Sequence, residues 1–437
     1  MTGPIVVVGN GMAAHRLAER LAAFGCRGPV TVLGAEPRPA YRRPLLPWVL
    51  AGALPADALD LPAPPDGVTV RTGVRVTGVD RAAKTLTCAD GSTERYGTLV
   101  LATGARHPLH GDVPPARGRV AVVGGGVLGV ETAAVLRRRG HEVLLAHSGP
   151  YPMHRSLDET AGGLLAGYLT GLGVEVRCDT RVADGDGLGA DTVVRCTGGV
   201  PETALARAAG LPVRRGVVVD GFLRTADPAV HAIGSCVDGA DGLLATASAQ
   251  AEFLAARLTG RAEGPFMPPP SLLRPRLPEL DVAVLGRPAG DAYDEVVTFT
   301  DPAGGRHARL ELAGGRLRYA VLVGLPEAIA AAGQLYDRGL PVPGDRLALL
   351  LGSSPVADDD PDAWPEAHVV CHCNNVTKAD VAHAWQTGAR TPDALATATR
   401  ATTGCGGCGD KLRALCGVLG RTGETGPASL PRLESVR

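Results

Sequence analysis

The chain is short of aromatic residues and almost devoid of lysine. Only 15 of its 437 residues are Phe, Trp or Tyr, so its cores must be filled mainly by Val, Leu, Ile and Ala. Lys84, Lys378 and Lys411 are the only lysines among 44 basic residues, a bias that points to a high-GC genome more than to a binding surface. Charge of one sign is lacking too. The basic residues face 45 acidic ones, and a net charge of −1 argues against a nucleic-acid or anionic-membrane partner. No run of about 18 apolar residues is present to cross a bilayer. Ahead of Ile5 stands no basic segment or separate apolar stretch of the kind a secretory signal needs, so the chain reads as cytoplasmic. Glycine (59) and proline (35) are enriched, yet stay below the roughly 25–30% typical of disordered chains. At about 150 residues per domain, the length suggests roughly three domains.

Ten cysteines in such a chain are not expected to form a disulfide framework. Their distribution is more informative than their number. Cys26, Cys88, Cys178, Cys196 and Cys236 are scattered, whereas Cys371, Cys373, Cys405, Cys408 and Cys416 crowd together near the end.

One pattern of apolar strand, glycine turn, helix and second strand occurs twice. The first copy runs Ile5-Val6-Val7-Val8, then Gly9, Gly11 and Ala14, a helix to about Phe24, and Val30 to Leu33 followed by Glu36. The second runs Val120 to Val123, then Gly124, Gly126 and Gly129, a helix to Arg139, and Glu142 to Leu145 followed by His147. Unalternating β-branched runs followed by helices predict parallel strands buried on both faces. In each copy the first glycine permits the tight turn, the second lets a pyrophosphate approach the backbone, and the third position packs helix against strand. Helix-start N–H groups then hold the phosphates. Glu36 is placed to accept from an adenosine ribose hydroxyl. At the equivalent place His147 neither takes the ribose as a carboxylate would nor pairs with a 2′-phosphate as an arginine would, and we favour NADH over NADPH.

Two such fingerprints about 115 residues apart, with Ala102-Thr103-Gly104 closing a strand between them, resemble the flavoprotein reductases that bind FAD first and NAD(P)H second. The resemblance covers residues 1–350. Tyr41-Arg42-Arg43-Pro44-Leu45-Leu46 is similar to the segment that lines the flavin in that family, and Val230-His231-Ala232-Ile233-Gly234 to the strand that returns to the FAD domain. The resemblance implies that Arg43, Pro44, Thr103, Gly104, Gly234 and Ser235 contact FAD and that Glu131, two residues after Gly129, stands near the flavin and nicotinamide. Two positions depart from the family. Ser235 replaces an acidic residue, and Pro47-Trp48 replaces a Ser that is often followed by Lys. The C-x4-C redox pair of the disulfide reductases is absent, so thiol–disulfide chemistry is not expected.

Linker signals complete the division. Pro265, Pro268, Pro269 and Pro270 mark one boundary, and the acidic, proline-flanked Asp358–Asp362 another. The expected architecture is α/β: two Rossmann-like dinucleotide-binding domains in the glutathione-reductase arrangement, a small α+β domain and a small helical iron–sulfur domain. We assign 1–111 with 215–264 to FAD, 112–214 to NAD(P)H, 270–352 to an α+β interface domain, 353–365 to a linker, 366–420 to the iron–sulfur domain and 421–437 to a tail.

Cys371-His372-Cys373, then 31 residues, then Cys405-Gly406-Gly407-Cys408 form two close thiol pairs, which predicts a tetrathiolate metal site. Zinc would accept four thiolates, although its usual spacing is C-x2-C in both halves. The C-x-C and C-x2-C combination resembles the small ferredoxin module related to bacterioferritin-associated ferredoxin, which implies a 2Fe-2S cluster. The spacing excludes a Rieske centre, which needs C-x-H pairs. Thr377 with Asp380, and Thr391 before Pro392, predict helix starts between the two pairs. Cys416, His368 and His372 are expected to be bystanders.

Together these modules predict a relay from NAD(P)H through FAD to a 2Fe-2S cluster. The order of domains resembles the reductase half of assimilatory nitrite reductases and the electron-transfer subunits of assimilatory nitrate reductases, implying a nitrate or nitrite reductase catalytic subunit as acceptor. Two alternatives remain open. One is the flavoprotein subunit of an amine or opine dehydrogenase or of a hydrogen-cyanide-forming complex; the other is a non-catalytic redox-sensing or scaffolding subunit.

Overall fold

A computed structural model describes residues 3–107, 115–183, 188–288, 290, 293–351, 361–371, 374, 376–402 and 408–424, with side chains as far as Arg421. The chain divides into two compact units, Met1–Val356 and Ala357–Arg437.

The first unit contains two parallel sheets. One has the order Val230–Ala232, Thr98–Leu101, Ile5–Val8, Val30–Leu33, Val68–Arg71. The other has the order Glu175–Arg177, Val143–Ala146, Val120–Val123, Thr192–Arg195. The central strands Ile5–Val8, Thr98–Leu101, Val120–Val123 and Val143–Ala146 are buried at every residue, as strands covered on both faces must be. Helix Met12–Ala23 follows the first glycine turn and Val127–Arg138 the second, so both duplicated segments are strand–turn–helix–strand units. A three-stranded antiparallel sheet of Val76–Asp80, Thr85–Cys88 and Thr93–Arg95 is inserted before Thr98–Leu101; the sequence reading did not anticipate it.

Beyond the proline-rich stretch lies a five-stranded antiparallel sheet, ordered Leu272–Leu273, Val282–Gly286, Arg316–Val323, Arg306–Ala313, Glu295–Asp301. Alternate residues of a strand face opposite ways, and here both faces are used. Tyr319, Val321 and Val323 join the core of the second parallel sheet, while Ala320 and Leu322 pack under helix Pro326–Asp337. This sheet is thus seated by one face on the domain built around the second parallel sheet.

The second unit is small and mostly helical. A short hairpin, Val369–Cys371 with Val376–Thr377, leads into helices Lys378–Gln386, Pro392–Thr399 and Gly409–Glu424. Thr377 and Asp380 form the expected capping box, and Thr391 caps the next helix by accepting from the Ala394 N–H. Trp364, Val370, Leu395, Leu412 and Leu415 close its core.

Candidate functional site

The first glycine loop is shaped by backbone proximity. Gly9 has φ +112°, and a Cβ there would lie 2.2 Å from the Ala102 carbonyl oxygen, so only glycine fits. Gly11 is the N-cap of helix Met12–Ala23, has no side-chain cap, and a Cβ on it would meet nothing within 4 Å. The N–H groups of that first turn therefore have neither an intrahelical nor a capping partner and face an open cradle. Ala14 is fully buried against the sheet. Gly234 closes the cradle's other side, where a Cβ would approach that of Ala13 at 3.3 Å, and its N–H donates to Gln250 Oε1 at 2.7 Å. Ser235 follows in the same 3-10 turn, Gly234–Cys236. Thr103 Oγ1 donates to the Glu202 carbonyl at 2.7 Å, and Gly104 turns the chain with φ +70°.

Glu36 lies just past strand Val30–Leu33 and is a third exposed. Its two oxygens accept from Arg43 Nη2 and, at 3.0 Å, from the Tyr41 hydroxyl. A carboxylate oxygen accepts more than one donor, so Glu36 keeps capacity for a ribose hydroxyl. Arg43 in turn donates to the Tyr41 hydroxyl at 2.7 Å and lies 4.5 Å from the ring centre.

The second loop repeats the backbone but not the side chains. Gly124 has φ +111°, with the Cys196 carbonyl oxygen 2.8 Å from where a Cβ would stand. At Gly129 a Cβ would collide with the Gly124 oxygen at 1.7 Å, the tight helix-to-turn approach expected of a third glycine. Gly126 caps helix Val127–Arg138 without a side-chain bond and again opens on clear space. His147 behaves differently from Glu36. It is buried, and its Nδ1 accepts from the Gly125 N–H at 3.0 Å, which leaves the proton on Nε2, 2.9 Å from His154 Nδ1. Burial, reinforced by His154, holds its pKa below the usual histidine value, so the ring is neutral at pH 7. His154 was not singled out from the sequence, where nothing pairs it with a residue seven positions earlier.

Glu131 sits on helix Val127–Arg138 and is 4% exposed. Burial pushes its carboxyl up, and Arg276 opposes that shift. The Arg276 backbone N–H donates to Oε1 at 2.7 Å and its Nη2 donates to Oε2 at 3.2 Å. Nη2 also donates to the Pro44 carbonyl at 2.8 Å, and the guanidinium lies 4.5 Å from the centre of the Trp48 ring. Arg276, like His154, was not singled out from the sequence. The only available signal was Glu131 itself, a carboxylate among Val130, Ala133 and Ala134 that requires a buried cation from elsewhere.

In the second unit Cys371 and Cys408 are both buried in one core. The Thr402 N–H donates to Cys408 Sγ at 3.1 Å, and Asn374 Nδ2 approaches Cys371 Sγ at 3.9 Å. Amide donors aimed at sulfur stabilise thiolates and suit an iron–sulfur ligand set. Cys373, Cys405 and His372 lie outside the described residues. Cys416, on the last helix, packs at the rim of this core, and His368 is stacked on Trp364 at 4.4 Å between ring centres.

The residues present fit two dinucleotides and a thiolate-bound cluster. Both glycine loops leave uncapped helix N-termini over open space, and Cys371 and Cys408 each have an N–H donor near the sulfur. No helix among the described residues is long and apolar enough to cross a membrane.

Comparison with known proteins agrees with this geometry. Residues 3–251 match the model of the pyridine nucleotide-disulphide oxidoreductase family, and residues 369–416 match that of the BFD-like [2Fe-2S] binding domain. The chain is 30% identical to the nitrite reductase [NAD(P)H] of Bacillus subtilis over 92% of its own length and 56% of that protein's. It is 27% identical to the assimilatory nitrate reductase electron transfer subunit of the same organism, over 98% of this chain and 61% of the relative. The chain therefore spans little more than half the length of these curated relatives. Among solved structures, the covalent putidaredoxin reductase–putidaredoxin complex superposes with a TM-score of 0.70 at 25% identity, covering 81% of this chain and 97% of that one. The match over residues 3–251, with the cysteine module that follows, places the chain in the pyridine nucleotide-disulphide oxidoreductase family, as an NAD(P)H-dependent FAD reductase carrying a BFD-like [2Fe-2S] domain.

Proposed function

We propose that the protein is the electron-transfer component of an assimilatory nitrate or nitrite reductase, taking electrons from NAD(P)H and handing them to a separate catalytic protein. FAD and the 2Fe-2S cluster supply the conversion of a two-electron hydride into single electrons. The chain's residues supply the rest. Gly9, Gly11 and Ala14, with Glu36, Arg43, Pro44, Thr103, Gly104, Gly234 and Ser235, form the FAD cradle; Gly124, Gly126, Gly129 and His147 form that for the nicotinamide nucleotide. Glu131 lies where the two meet, and Cys371, Cys373, Cys405 and Cys408 hold the cluster.

The observation that carries this reading is the pairing of two open, uncapped nucleotide cradles in one unit with thiol ligands in another. It is supported by the relatives named for nitrite reduction and for nitrate reductase electron transfer. Nothing in the described site gathers a nucleophile with a base for an organic substrate, which favours a protein acceptor.

The test is an anaerobic titration with NADH and then NADPH, following the flavin and iron–sulfur absorption bands. Bleaching of both bands is expected, followed by NAD(P)H-driven nitrate or nitrite reduction on adding the cognate catalytic subunit. Reduction by dithionite but by neither nucleotide would overturn the donor assignment. Reduction by an amino acid or opine alone would favour the dehydrogenase alternative. Bleaching without any nitrate or nitrite reduction in the mixture would refute the acceptor.

A further inference from the structure

Among the described residues, Arg276 is the one side chain that joins the antiparallel domain both to the Pro44–Trp48 segment and to Glu131. Its guanidinium meets Pro44 and Trp48 on the segment assigned to the flavin, and Glu131 on the first helix of the nucleotide domain. The loop that carries it is held firmly. Leu277 and Leu280 pack against the nucleotide-domain core, and the Tyr168 hydroxyl donates to the Pro278 carbonyl. Every hydrogen bond that Glu131 accepts among the described residues comes from Arg276, through its backbone N–H, Nε and Nη2.

An ion pair of this kind is a poor device for stability alone. Replacing a buried pair by apolar residues is often neutral or stabilising, whereas removing one member leaves an uncompensated charge. Stacking on Trp48 and a forked set of donors fix the guanidinium more tightly than a lysine could be fixed. We propose that Arg276 is a positioning residue of the hydride-transfer junction, setting the orientation and net charge of Glu131 beside the flavin from a domain that holds neither nucleotide. This rests on the assignment of the Arg43–Leu46 segment to FAD. The consequence is that the antiparallel domain is part of the redox site and not only a cover for the nucleotide domain.

Full-length protein with bound FAD provides the test, using R276Q, R276K and the double variant R276Q/E131Q. FAD content, the flavin midpoint potential at pH 8 from an anaerobic dye-coupled titration, and the rate of flavin reduction by NADH are measured for each. In R276Q the unpaired Glu131 carboxylate disfavours an anionic reduced flavin, so the potential falls, and reduction slows by about tenfold or more as the junction loosens. R276K restores part of the rate. The double variant, neutral again at this site, returns the potential to the wild-type value. R276Q matching the wild type in potential and rate would overturn the proposal. A double variant shifted as far as R276Q would overturn it too, because lost packing and not unpaired charge would then be the cause. Should R276Q not fold, R276K and the double variant still decide, since only a charge-setting role restores the potential in the doubly neutral protein. A wild-type protein that binds FAD but is not reduced by NADH or NADPH defeats the donor reading, while the potentials still report on Arg276.

Discussion

The two glycine loops share a backbone and differ in the residue that closes it. In the first, Glu36 stands a third exposed beyond its strand, held by Arg43 and Tyr41 but with acceptor capacity left. In the second, His147 is buried, bonded to the loop through one nitrogen and to His154 through the other. The first loop thus ends on a partly exposed, ion-paired carboxylate, and the second uses its side chain on its own backbone. The shared scaffold binds the pyrophosphate that all dinucleotides have in common; the residue after the second strand decides what is recognised at the ribose.

The sharpest way to break this comparison is to alter the glycines themselves. Gly9→Ala forces an L-residue to φ +112° with its Cβ 2.2 Å from a carbonyl oxygen. Strain and overpacking of this kind cost about 1–3 kcal/mol each, so a loss of about 3 kcal/mol in denaturant unfolding is expected, together with loss of FAD. Gly11→Ala meets open space, and its cost to stability should stay within about 1 kcal/mol while FAD content collapses. FAD retained in Gly11→Ala would show that no phosphate lies against that position.

Both domains also bury a histidine, and the first pays more at acid pH. His231, in the edge strand Val230–Ala232, is 4% exposed, and desolvation pulls its pKa down to about 4. The unfolded chain, with a histidine pKa near 6.5, binds more protons between those values, so stability is whole above pH 6.5 and falls as pH drops toward 4. A fall from the ordinary value to about 4 corresponds to about 3 kcal/mol. Denaturant midpoints across that range check it, and His231→Gln should flatten the profile; an unchanged slope would mean that the imidazole is not the group responsible.

Much of this scaffold was legible in the sequence because local rules decide it. Unalternating β-branched runs, glycine spacing and the Thr377–Asp380 box specify strand, turn and helix start without help from distant residues. The three-stranded sheet of residues 76–95 was missed because its strands are short and bury only Leu86 and Cys88, leaving little apolar periodicity to read. At the site, the glycine turns were readable, whereas the partners of Glu131 and His147 were not. Arg276 lies 145 residues from Glu131, and only tertiary packing brings a cation to that carboxylate. His154 is near in sequence but reaches His147 through an irregular turn for which no periodicity exists.

Smaller effects sharpen the contrast at the ribose positions. Glu36→Ala removes a charged acceptor and releases Arg43 and Tyr41. A hydrogen bond to a charged group is worth about 1.5–3 kcal/mol, so FAD should bind at least about tenfold more weakly by fluorescence titration of the apoprotein. Equal affinity would mean that Glu36 serves only to hold Arg43.

His147→Glu is the subtlest and most instructive change, because a carboxylate can still accept from the Gly125 N–H and so keep the loop closed. What it alters is the charge offered to the nucleotide. The neutral imidazole neither attracts nor repels a 2′-phosphate, whereas a carboxylate accepts from the ribose hydroxyls of NADH and repels the extra phosphate of NADPH. The ratio of kcat/KM for NADH over NADPH should therefore rise about tenfold, with flavin content and midpoint potential unchanged. A ratio that does not move would place His147 outside the ribose site and make the second loop's closing residue a structural one, which would end the functional parallel with Glu36 while leaving the backbone parallel intact.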